Sequence, residues 1–129
     1  MKIVNPESLG EPRGYNNGIL ADTGKILFVA GQVGWDKEGR VAEGLVAQLD
    51  VALRNILEVV QAAGGKREDI ARFTIYVKNK MDYLAHRGRI GEVYRKNMGK
   101  HFPAMSLVEV QDLLEEGALI EIEATAVLP

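Results

Sequence analysis

The chain is 129 residues long, 47% hydrophobic and 26% charged, and its charges nearly cancel at a net -2. That length suits one domain with a packed core, spanning 1–129, and the balance argues against a nucleic-acid binder, which carries a strong basic excess. Cysteine is absent, which removes both a disulfide framework and a thiol nucleophile.

The opening Met1-Lys2-Ile3-Val4-Asn5-Pro6 lacks the apolar run of a signal peptide. No segment is apolar for long enough to span a bilayer, so the expectation is a soluble cytoplasmic protein without membrane partners. The first forty residues alternate turn signals with short apolar runs. Asn16-Asn17-Gly18 and Thr23-Gly24 flank Ile19-Leu20-Ala21, and Ile26–Ala30 follows. This pattern predicts a hairpin, with Asp36-Lys37-Glu38-Gly39 as the next turn.

Leu45, Leu49, Leu53, Ile56, Val60 and Ala63 recur on one helical face, with Gln48 and Asp50 elsewhere. Gly64-Gly65 closes that helix, because glycine tolerates the left-handed turn. A strand over 71–78 alternates Phe73, Ile75 and Val77 against Thr74 and Tyr76. A second helix is expected over roughly 82–98, capped by Asn79 or Asp82, with Tyr83, Arg87, Ile90, Val93 and Tyr94 in one stripe. Strands over 104–111 and 118–127 complete an α+β chain.

Two helices cover one face of such a sheet and leave the other open. On the last strand Ile120, Ile122, Ala124 and Ala126 form one face, and Leu119, Glu121, Glu123, Thr125 and Val127 form the other. On the strand before it, Met105, Leu107 and Glu109 share a face. A half-apolar sheet face bearing carboxylates suits a subunit interface better than solvent.

The residue inventory removes several chemistries. With two histidines, His86 and His101, and no cysteine, zinc ligation has no ligand set. Ser8 and Ser106 stand outside any nucleophile turn. The glycines of 10–18 lack the Gly-Lys-Ser/Thr ending of a phosphate loop, and that segment reads as a connection aiming Tyr15. Glu121 and Glu123, two apart on a strand, leave it on the same side and suit proton transfer. The plainer reading pairs both with a basic residue of a neighbouring strand or subunit. The basic run His86, Arg87, Arg89, Arg95, Lys96, Lys100 and His101 reads first as a solvated helix face. The sharper alternative is an anion site at Arg87 or Arg89.

The tail Phe102-Pro103-Ala104-Met105-Ser106-Leu107-Val108-Glu109-Val110, followed by Ile120-Glu121-Ile122-Glu123-Ala124, resembles the signature of the Rid/YjgF family. Gly31-Gln32, Ala62-Ala63-Gly64 and Tyr76-Val77-Lys78 match it as well, so the resemblance covers essentially the whole chain. It implies a chorismate-mutase-like fold, one mixed sheet with two helices on one face. It further implies a homotrimer with a central barrel and a small-molecule cleft between subunits. Members of this kind hydrolyse reactive imines and enamines without a cofactor.

By the resemblance, Glu121 corresponds to the glutamate that positions water and Tyr15 to the tyrosine closing the cleft. Ala30, Gly31, Arg87, Met105 and Leu107 fall at substrate-binding positions. Several depart from the family pattern. Arg13-Gly14-Tyr15 replaces Gly-Pro-Tyr, Ala30 replaces a serine, and Leu107 replaces a cysteine. Above all, Met105 stands where deaminating members carry the arginine that grips the substrate carboxylate in a two-pronged contact. The implied substrate is an imine, enamine or related carbon–nitrogen compound lacking a 2-imino carboxylate. A non-catalytic metabolite-binding trimer is the alternative, and an endoribonuclease or translation-inhibitor role ranks below both.

Overall fold

The computed structural model describes residues 1–129. Strand β1 (Lys2–Val4) pairs antiparallel with β2 (Gly18–Leu20) in a small ribbon. Strand β3 (Lys25–Val33) leads to helix α1 (Leu45–Ala62) and then to β4 (Ile70–Val77). Helices α2 (Lys80–Ala85) and α3 (Arg87–Met98) follow, then β5 (Ala104–Glu109) and β6 (Ile120–Leu128). The main sheet runs β3-β6-β4-β5, with β4 and β5 parallel and the other pairs antiparallel. No helix is long and apolar enough to cross a membrane.

Two expectations are corrected. The first hairpin does not form, because β2 turns back to β1 and β3 joins the distant β6. An asparagine cluster decides the first pairing. Asn5 accepts from the Asn17 amide at 2.7 Å and donates from Nδ2 to Asn16 Oδ1 at 2.8 Å. The expected single second helix is broken at His86, whose φ of -116° and ψ of 21° leave the helical range. There the His86 ring Nδ1 lies 2.8 Å from the Asp82 carbonyl, and Arg87 Nε donates to the Leu84 carbonyl at 3.2 Å. Side chains thus satisfy carbonyls that a continuous helix would have used. Asn79 caps α2, accepting from the amides of Met81 and Asp82.

The core lies between the sheet and α1 with α3. Leu45, Leu49, Leu53, Ile56 and Val60 bury their side chains against Phe73, Ile75, Val77 and the inward residues of β6. Ala63, assigned by period to that face, caps the helix at the surface, and Gly64 turns with φ of 89°. Asp50 accepts from Asn97 Nδ2 at 2.9 Å and from Lys96 Nζ at 3.2 Å, tying α1 to α3.

Gln48 also departs from the sequence expectation, which placed it off the core face. It is 2% exposed, and its amide is fully used. Nε2 donates to the carbonyls of Ala42 and Gly117 at 3.0 Å each, and Oε1 accepts from the Leu119 amide at 2.7 Å. It therefore fastens the loop before α1 and the loop before β6 to α1. A side chain at Gly34 would run into the Gln48 backbone, so glycine lets the first loop approach. Gln48→Leu strands three backbone groups at once, and we expect a loss of about 3 kcal/mol of stability. Urea unfolding followed by circular dichroism measures it; an unchanged midpoint would mean that solvent takes over these bonds.

Candidate active site

Strand alternation and register sort the candidate residues onto two faces of the sheet. Tyr76 pairs with both Glu121 and Val108, whereas Phe73 pairs with both Ala124 and Met105, and Ile75 with both Ile122 and Leu107. Directly opposed residues share a face. Glu121 and Glu123 therefore point away from the helices, and Met105 and Leu107 point towards them.

On the open face, β3 carries an irregularity between Val29 and Gln32 that places Ala30 and Gly31 beside β6. A Cβ at Gly31 would meet the Oε2 of Glu121 where it now lies, so glycine leaves space for the carboxylate in this rotamer. Glu121 is half-buried and enters neither ion pair nor side-chain hydrogen bond. Glu123 instead accepts from the Tyr76 hydroxyl at 3.0 Å. That bond holds the Tyr76 phenol above its ordinary pKa, keeping it a donor. Within the chain neither carboxylate pairs with a basic residue. Tyr76 takes that place for Glu123, and Glu121 is left uncommitted. Around them Phe28, 78% exposed, Ile26 and Val108 give the open face an apolar surface.

On the helix side, Tyr15, Met105 and Leu107 line one groove with Arg13, Lys80, Tyr83 and Leu84. Tyr15 is aimed there by its neighbour. The Asn16 amide donates to the Pro103 carbonyl at 3.2 Å, and its side chain donates to the Phe102 carbonyl. Behind Met105 lies a cavity of about 380 Å³ between the sheet and α3, reached by Arg87 but not by Arg89. Burial raises the pKa of Tyr83, leaving it a neutral wall between groove and cavity. His101 lies in the loop before β5, its Nε2 2.7 Å from the Ile70 carbonyl.

Within one chain, then, the candidates form two groups. Ala30, Gly31 and Glu121 stand on the open face; Tyr15, Met105, Leu107 and Arg87 stand on the other. The sequence reading missed Tyr83 and Arg95. Arg95 was visible in principle, since it falls eight residues after Arg87, two turns along the same side of a helix.

The profile of the family described as endoribonuclease L-PSP matches residues 7–128. The chain belongs to the Rid/YjgF family. It is 38% identical over 110 residues to a 2-iminobutanoate/2-iminopropanoate deaminase of Salmonella typhimurium, covering 82% of each chain. It is 35% identical over 128 residues to a RutC family protein of Pyrococcus horikoshii, covering 97% of this chain and 96% of the other. Among solved structures, a Rid-family protein of unknown function from Yersinia pestis superposes with a TM-score of 0.87. That pair is 34% identical and covers 98% of both chains. Family members thus carry imine-deaminase and endoribonuclease names, and this chain shares their α+β fold.

Proposed function

We propose that this Rid-family chain is a cofactor-independent hydrolase of an imine, enamine or related carbon–nitrogen compound that lacks a 2-imino carboxylate. One observation carries the reading. The Glu121 carboxylate is uncommitted on the open face, with Gly31 cleared around it, while uncharged Met105 occupies the anchor position. Water held by Glu121 would give one proton to the carboxylate as its oxygen bonds to the imine carbon, and the carboxyl group would pass that proton to the nitrogen, giving a carbinolamine. Its hydroxyl proton then moves through the carboxylate to the nitrogen as the carbon–nitrogen bond breaks, so that ammonia leaves and a carbonyl product remains.

The two groups of residues meet when a second copy lays its helix-side groove against this open face, as a trimer with clefts between subunits would do. The exposed apolar residues Ile26, Phe28 and Val108 support such a contact. Tyr15 then caps the cleft, and Met105 and Leu107 form its apolar wall. A methyl thioether cannot replace the charge-assisted bonds that an arginine makes to a carboxylate.

A non-catalytic binding trimer is the second reading, favoured by the missing anchor. An endoribonuclease role is weaker, because a near-neutral chain with few aromatic residues offers neither a phosphate track nor a base-stacking series. The test is ammonia release from butan-2-imine, generated in place from the amine by an amine oxidase. Saturable turnover above the uncatalysed rate supports the hydrolase, and its absence ends that reading.

A further inference from the structure

The cavity behind Met105 adjoins the proposed cleft, sharing Tyr83 and Met105 with its groove, and has a chemistry of its own. Eleven of its fifteen lining residues are hydrophobic, the part-exposed Tyr83, Tyr94, Phe102 and Met105 among them, so its accessible wall suits a hydrocarbon group. Helix α3 contributes Arg87, Ile90, Gly91, Tyr94 and Arg95, spaced as one helical face. An amphipathic helix places apolar residues along such a stripe, yet here it begins and ends with arginine.

Both arginines are exposed while the interior is buried, so their guanidinium groups belong to the rim. Neither has a carboxylate partner, although the chain's other arginines and lysines form six ion pairs. Arg87 spends only Nε, on the Leu84 carbonyl. Arg95 lies across Gly91, where a Cβ would come within 3.2 Å of its Nη1; glycine at the centre of the stripe gives the guanidinium room. The other polar groups at the wall are neutral or engaged. Tyr94 donates its hydroxyl to the His101 carbonyl at 2.8 Å, and burial disfavours ionisation of both Tyr83 and Tyr94. No acidic side chain lines the cavity.

We infer that this cavity binds an amphipathic monocarboxylate, with its hydrocarbon tail against the part-exposed Tyr83, Tyr94, Phe102 and Met105 and its head on Arg87 and Arg95. The pairing follows from the wall chemistry: an apolar interior excludes a fully polar anion, and two unpartnered guanidinium groups favour a charged head over a neutral one. Met105 is the shared wall between this site and the cleft.

The test is calorimetric titration of the full chain with octanoate, using octan-1-ol and acetate as partial ligands. Octanoate should bind saturably, with octan-1-ol at least about 10-fold weaker and acetate undetectable at the same concentrations. The double variant Arg87→Ala, Arg95→Ala should weaken octanoate at least about 10-fold. Arg89→Ala removes the same charge from the same helix without touching the cavity, and should bind as the unaltered chain does. The inference is overturned if octanoate fails to bind, if octan-1-ol binds equally well, or if Arg89→Ala weakens binding as much as the double variant.

Discussion

Glu121→Gln is expected to lower kcat for a carbon–nitrogen substrate by about 10²- to 10⁴-fold, the usual worth of a positioned general base. The change keeps the shape of the side chain, so it tests proton acceptance rather than space. Its neighbourhood makes the result interpretable. Glu121 supports no ion pair or side-chain hydrogen bond whose loss would disturb the sheet, whereas Glu123 two residues on is held by Tyr76. KM should change little, since the glutamine can still occupy the space that Gly31 leaves. A binding protein would respond differently: ligand affinity would persist and there would be no turnover to lose. Steady-state ammonia release together with a binding titration separates the two. Unchanged kcat in the variant would remove Glu121 from the mechanism.

Met105→Arg is expected to raise kcat/KM for 2-iminobutanoate roughly 10- to 100-fold, the return on one or two charge-assisted bonds to a carboxylate. The new side chain has somewhere to go. Met105 borders the outer groove shared with Tyr15 and Leu107, so a longer side chain can carry its charge outwards along apolar walls. Its other border is the core cavity, which already tolerates two guanidinium groups at the rim. If the variant folds and still ignores 2-iminobutanoate, the uncharged position does not account for the altered specificity. Ala30 and Leu107 would then share responsibility, since they too replace polar groups of the family pattern.

Much of this arrangement was legible from the residues because the decisive periods are short. The alternation of 120–126 assigned the core and open faces of β6 correctly, and the apolar recurrence from Leu45 to Val60 located α1. The placement of Met105 relative to Glu121 was not legible. Alternation within β5 puts Met105 with Leu107, but only the register through Phe73 fixes which side of the sheet they share. The β1–β2 pairing escaped for a similar reason, since it depends on asparagine side chains eleven and twelve residues apart. The break at His86 was hidden because the apolar stripe continues through it, and the local side-chain bonds that permit it carry no periodic signal. Gln48 was misplaced because a buried amide that satisfies three backbone groups reads as polar surface until those groups are known.

We propose that Glu121 serves as the hydrolytic carboxylate while Met105 leaves the chain without a substrate-carboxylate anchor. The most direct measurement compares kcat/KM of the unaltered protein for butan-2-imine and 2-iminobutanoate, a pair differing only by methyl in place of carboxylate, with peroxide from the generating oxidases removed by catalase. The account predicts at least about a 10-fold preference for the uncharged imine, because Met105 and Leu107 present an apolar wall where a carboxylate would be left unpaired. Equal or better hydrolysis of 2-iminobutanoate would contradict it.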